Sequence, residues 1–205
     1  PKGVGALYIR KGLRISSLIT GGGQERKRRA GTENTAGIVG MGVAAEYAMA
    51  EFELERARET ALRDRLISGL LNTIPHTILN GHPTLRLPNN VNISYMYVEG
   101  ESLLLNLDMA GIAASSGSAC TSGSLEPSHV LMAMGISHEV AHGSVRMTIG
   151  RGTTPDDVDY VLGVMPGIVD KLRSMSPIYD KTGECCIKDL CANPHDCQRA
   201  SLATR

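Results

Sequence analysis

The chain contains no Trp and one Phe, and its six Tyr bring aromatic content to only 3% of 205 residues. A core built on stacked aromatic rings is thereby excluded. Leu, Ile, Val, Met and Ala must fill the interior instead. No apolar run approaches the roughly 18–20 residues that a helix needs to span a bilayer, so no membrane partner is expected. Net charge is lacking as well, because 21 basic residues balance 21 acidic ones. That argues against the global basic field of a nucleic-acid binder. The N-terminus lacks the basic-then-apolar layout of a secretory signal, and a cytoplasmic location is the expectation. The first residue is Pro1 rather than Met, which reads as a fragment or a processed chain. Cysteine is odd in number, five in all, with Cys120 alone in the body and Cys185, Cys186, Cys191 and Cys197 crowded into the tail. This is not the pattern of a secreted disulfide scaffold.

Hydrophobic patterning predicts a mixed chain. Residues 3–10, GVGALYIR, read as a short buried strand. A loop follows with Gly21–Gly23 and the basic run Arg26–Arg29. Thr32 reads as a helix N-cap with Glu33 in the first turn, and helical spacing continues to about residue 72, before Pro75. Strands are expected over 76–79, 90–97, 112–115 and 144–150. Helices are expected over 99–110, 127–134 and 137–142, with a last one from Pro155, capped by Thr154, to about Met175. Strands mixed with helices imply an α/β chain whose 76–177 part is an α+β layer. The tail beyond Pro177 loses its periodicity and reads as irregular.

Three residues carry candidate chemistry. Cys120 sits in SSGSACTSGS, where only small side chains flank it. Such a loop cannot bury itself and is expected to stay mobile, leaving the thiol accessible. A buried filler role stands beside that reading, because no cation near in sequence activates the sulfur. The other two are Thr32, which by itself reads as a plain N-cap, and Arg146, which by itself reads as one half of a surface ion pair. Gly40-Met-Gly42-Val-Ala-Ala45 has the letters of a dinucleotide fingerprint but lacks the preceding strand, so close helix packing is the better reading. His129, His138 and His142 read as capping or packing residues. The basic run Arg26–Arg29 is expected near a subunit contact.

SSGSACTSGSLEPSHVL closely resembles the catalytic loop of cysteine desulfurases of the NifS/IscS-like group, within the class V aminotransferases. PKGVGALYIRKG, GGGQERKRRAGTENTAGIVGMG, NNVNISYMYVEGESLLLNLD and AHGSVRMTIGRGTTPDDVDY resemble further stretches of that family, in the same order. The resemblance covers about residues 1 to 177. It implies a fold-type I transferase dependent on pyridoxal 5'-phosphate: residues 1–32 ending the large domain, 33–75 a connecting helix, 76–177 the small domain and 178–205 a Cys-rich tail. It implies conversion of L-cysteine to L-alanine with sulfur held as a persulfide on Cys120. Thr32 would touch the cofactor phosphate of a neighbouring subunit in a homodimer, and Arg146 would bind the substrate carboxylate. An iron–sulfur scaffold protein would accept the sulfur, with a transient iron–sulfur cluster contact through Cys120.

Two departures qualify the resemblance. The family's Schiff-base lysine precedes PKG, and Lys2 is not that lysine, so this chain alone is expected to be inactive. The tail cysteines Cys185, Cys186, Cys191 and Cys197, near His195, match no standard zinc spacing; metal binding, a second thiol relay and incidental cysteines all stay open. A sulfur carrier without cofactor chemistry and a selenocysteine lyase are the competing functions.

Overall fold

In the computed structural model, residues 1–116, 127–177 and 179 are described. They divide into two compact units, Pro1–Leu54 and Glu55–Arg205. The boundary falls inside one helix, so each unit is built separately below.

In the first unit, β1 (Gly23–Gln24) and β2 (Arg29–Ala30) form an antiparallel hairpin with Gly23 opposite Ala30. The turn between them is unusual. Glu25, Arg26 and Lys27 take φ values of 48°, 57° and 66°, three consecutive L-residues in the left-handed region. Helix α1 (Thr35–Thr73) begins in this unit. Its N-cap is Asn34, whose Oδ1 accepts from the Gly37 amide at 3.1 Å. The expected cap at Thr32 is therefore wrong: the side chain that reaches the third amide of the helix belongs to Asn34, and Glu33 lies outside the first turn.

The buried strand expected over residues 3–10 is not found either. The segment joins no sheet among the described residues, and Leu7 and Tyr8 are 76% and 88% exposed. Apolar content does not make a strand without a neighbouring edge to complete its hydrogen bonds.

The second unit holds a four-stranded antiparallel sheet of β3 (Thr77–Leu79), β4 (Asn90–Tyr95), β5 (Ser115–Ser116) and β6 (Ser144–Thr148), in the order β3-β4-β6-β5. Alternation divides its faces. Val91, Ile93 and Tyr95 of β4, with Val145 and Met147 of β6, are buried on one face. The same core cluster takes Leu62, Leu66 and Leu70 from the second half of α1. Leu103 and Leu107 of α2 (Gly100–Met109) and Val158, Met165 and Val169 of α5 (Pro155–Met175) complete it. Helices α3 (His129–Ala133) and α4 (His138–His142) lead into β6. At Gly143 a Cβ would collide with the Tyr95 carbonyl oxygen, and the close approach lets the Tyr95 amide donate to the Gly143 carbonyl at 2.9 Å.

Local signals account for most helix ends. Thr154 and Asp157 form a reciprocal capping box at α5, with Pro155 in its first turn. Glu99 caps α2, its carboxylate accepting from the Glu101 and Ser102 amides at 2.9 and 2.7 Å. Helix α2 ends in a Schellman turn: Gly111 has φ +75°, the Gly111 amide donates to Asp108 O, and the Ile112 amide donates to Leu107 O. This turn corrects the strand expected over 112–115. Ile112 is still closing the helix, so the ladder with β6 starts only at Ser115. The strand expected over 90–97 likewise stops at Tyr95, since Tyr97 has φ +66° and cannot continue a pleat.

Candidate active site

The face of the sheet opposite the core is polar. Asn92 of β4 stands opposite Arg146 of β6, and Ser115 of β5 stands opposite Arg146 on its other side. Directly paired residues share a face, so the Arg146 guanidinium rises between an amide and a hydroxyl. Its side chain is exposed, and no hydrogen bond or ion pair engages it among the described residues. No ion pair among the described residues supports the surface ion-pair reading of Arg146. A cation with five donors and no carboxylate beside it on β4, β5 or β6 is suited to take a carboxylate from elsewhere.

Behind Arg146 the polar face is knitted together. Asn80 Nδ2 donates to Asn92 Oδ1 at 2.8 Å and lies 2.9 Å from Ser94 Oγ. Sequence reasoning missed Asn80 and Asn92, because nothing local in the chain signals a cross-strand register. It also missed Arg58. This residue of α1 donates to Thr153 O at 2.7 Å, Gly150 O at 3.0 Å and Arg151 O at 3.1 Å, while Glu55 neutralises it at 2.8 Å. Arg58 thereby holds the turn that joins β6 to α5.

Cys120 lies within residues 117–126, outside the described residues. The tail cysteines Cys185, Cys186, Cys191 and Cys197 lie outside them as well. The described chain enters 117–126 from Ser116, which pairs with Val145, the residue before Arg146.

In the first unit, Thr32 is exposed and precedes the Asn34 cap of α1. Its hydroxyl is not spent on capping the helix. An alcohol next to the positive end of a 39-residue helix is a donor set that fits a phosphate. The basic run lies nearby in this unit, where Arg26, Arg28 and Arg29 line an open cavity of about 580 Å³ floored by Leu7, Ile38 and Met41. Thr32 and Arg146 belong to different units.

Residues 1–161 match the class-V aminotransferase family. The chain belongs to that family. The family resemblance read from the sequence motifs, and the α/β fold class with it, are borne out. Among class-V relatives, the chain is 63% identical over 181 residues to cysteine desulfurase IscS of Methanosarcina thermophila, covering 88% of this chain and 45% of that protein. It is 54% identical over 183 residues to cysteine desulfurase NifS of Azotobacter vinelandii, covering 89% and 46%. Among solved structures, a NifS-like protein superposes with a TM-score of 0.70 at 36% identity, covering 80% of this chain and 42% of that one. The NifS-like protein of Rickettsia africae follows with a TM-score of 0.68 at 28% identity, covering 77% and 41%. The chain thus spans less than half the length of these relatives. No helix among the described residues is long and apolar enough to cross a membrane.

Proposed function

We propose that this chain supplies the sulfur-accepting and substrate-anchoring part of a cysteine desulfurase acting on L-cysteine. The observation that carries the reading is Arg146: an exposed guanidinium without a hydrogen-bond or ion-pair partner among the described residues, paired with Ser115 on the strand from which the chain proceeds to Cys120. Cys120 lies four Cα–Cα steps beyond Ser116 in sequence, a span of at most about 14 Å. A carboxylate held by Arg146 and a thiol on that tether are within each other's compass.

Pyridoxal phosphate, when bound, supplies the electron sink that makes the Cβ–S bond of cysteine cleavable. Thr32 would donate its hydroxyl to the phosphate of the neighbouring subunit's cofactor, alongside the N-terminal end of α1. Arg146 grips the substrate carboxylate and aims the thiol group toward Cys120. The Cys120 thiolate bonds to the substrate sulfur as the Cβ–S bond breaks; the bonding pair passes to carbon, which takes a proton to become alanine. The persulfide left on Cys120 is handed to a protein acceptor, in our reading an iron–sulfur scaffold. The enzyme works as a cytoplasmic homodimer. Support for the dimer comes from apolar side chains exposed on the first half of α1, among them Val39, Tyr47 and Phe52, at 61%, 66% and 52%.

The test uses the complete protein loaded with cofactor. Cys120→Ser is expected to abolish persulfide and alanine production. Arg146→Gln is expected to lower kcat/KM for cysteine about 100-fold through KM, leaving cofactor absorbance unchanged. Undiminished persulfide in Cys120→Ser overturns the proposal.

A further inference from the structure

We propose that His138 and His142 form a two-imidazole chelate for a divalent transition metal of the zinc, nickel or copper class. The two residues begin and end α4, four positions apart on one helix face. Their ring centroids lie 5.5 Å apart with the planes inclined at 55°. When two imidazoles bind one ion through metal–nitrogen bonds of about 2.1 Å at tetrahedral or square-planar angles, their centroids sit roughly 4.5–5.2 Å apart. The observed 5.5 Å lies within a few tenths of an ångström of the upper end of that range.

The surroundings favour a ligand over a packing role. His138 is exposed and His142 half-buried, so an ion approaches from solvent. No hydrogen bond engages either ring among the described residues. Glu99 lies within electrostatic reach of His142. Both Glu99 oxygens already accept amide hydrogens at the start of α2, so the carboxylate adds negative charge without adding a ligand. No cluster of three ligating groups exists among the described residues. The site is thus bidentate, with water in the remaining positions. Such a site is exchangeable rather than structural. Imidazole donors select zinc, nickel and copper over magnesium and calcium, which prefer oxygen.

The site goes beyond desulfurase chemistry and stands or falls separately from it. Nickel is titrated calorimetrically into the complete protein after its cysteines have been alkylated, which removes the competing thiolates. One nickel per chain with micromolar affinity is expected, with no binding of magnesium. His138→Ala and His142→Ala should each weaken binding about 100-fold, because loss of one donor destroys the chelate. His129→Ala and His195→Ala should leave it unchanged. His138 is on the surface, so its replacement tests the site even where His142→Ala perturbs folding. Wild-type affinity retained in His138→Ala, or no stoichiometric nickel in the parent protein, overturns the proposal.

Discussion

Arg173 Nη2 donates to the carbonyl oxygen of His76 across 3.2 Å, in a position where the arginine has no solvent exposure. Its Nε donates to Met96 O at 3.1 Å, and its guanidinium lies 5.4 Å from the centre of the Tyr179 ring. One buried cation thus ties the end of α5 to the chain on either side of the β3–β4 pair. The two residues it steadies are conformationally costly. His76 has φ +53° and Tyr97, next to Met96, has φ +66°. Their rings meet edge to face at 5.6 Å.

Arg173→Met should therefore destabilise the protein by roughly 3 kcal/mol, since it removes charge-assisted bonds to two carbonyls. Arg173→Lys should recover little of this, because one ammonium cannot reproduce the planar fork. Urea unfolding midpoints check both, and a wild-type midpoint in Arg173→Met would refute the bracing role.

Tyr95 makes the opposite prediction. Its ring is fully buried in the core, yet its hydroxyl finds no hydrogen-bond partner among the described residues. Burial pushes the phenol far above its ordinary pKa, despite the nearby Arg173 charge. Tyr95→Phe keeps the ring and removes the stranded polar atom. It should leave stability unchanged or raise it by up to about 1 kcal/mol. A clear loss in thermal unfolding would mean that the hydroxyl is satisfied in solution.

Acid should loosen the same corner. Burial, then the Arg173 charge, hold the His76 pKa below its usual 6.5. The unfolded state consequently binds the proton more readily than the folded one. Stability contributed by neutral His76 is present above the unfolded pKa and is lost as pH falls from about 6.5 toward the lowered folded value. His76→Asn removes the titration and suits a positive φ. Its melting temperature should fall less than that of the parent between pH 7.5 and 5.5; equal falls would remove His76 as the cause.

Lys27 offers a stabilising change. It ends the left-handed turn of the β1–β2 hairpin at φ +66°. Lys27→Gly relieves the Cβ strain at the expense of a freer unfolded chain, for a net gain of up to about 1 kcal/mol. Differential scanning calorimetry should register a higher melting temperature, whereas a decrease would show that the side chain itself contributes contacts that outweigh the strain.

Legibility followed distance along the chain. The α5 start was readable because Thr154, Pro155 and Asp157 act on one another within a single turn. The α1 start was misjudged by two residues, because Thr32 and Asn34 are both competent caps and only the realised geometry, Asn34 to Gly37, chooses between them. Arg146 was singled out by family motif alone. Its lack of an ion pair among the described residues depends on which side chains β4 and β5 place beside it, and that is a matter of register.

What the sequence determined by itself is whatever neighbouring residues decide together: the capping box of α5, Gly-terminated turns, the alternation of β4 and β6, and family motifs long enough to name the chemistry. Tertiary structure alone decided that residues 3–10 form no strand, that Asn92 and Ser115 flank Arg146, and that a charged Arg173 belongs in the interior. Each of these turns on partners far away in the chain. A hydrogen-bonding group is tolerated, strained or left open according to what folding brings against it, and no local pattern carries that information.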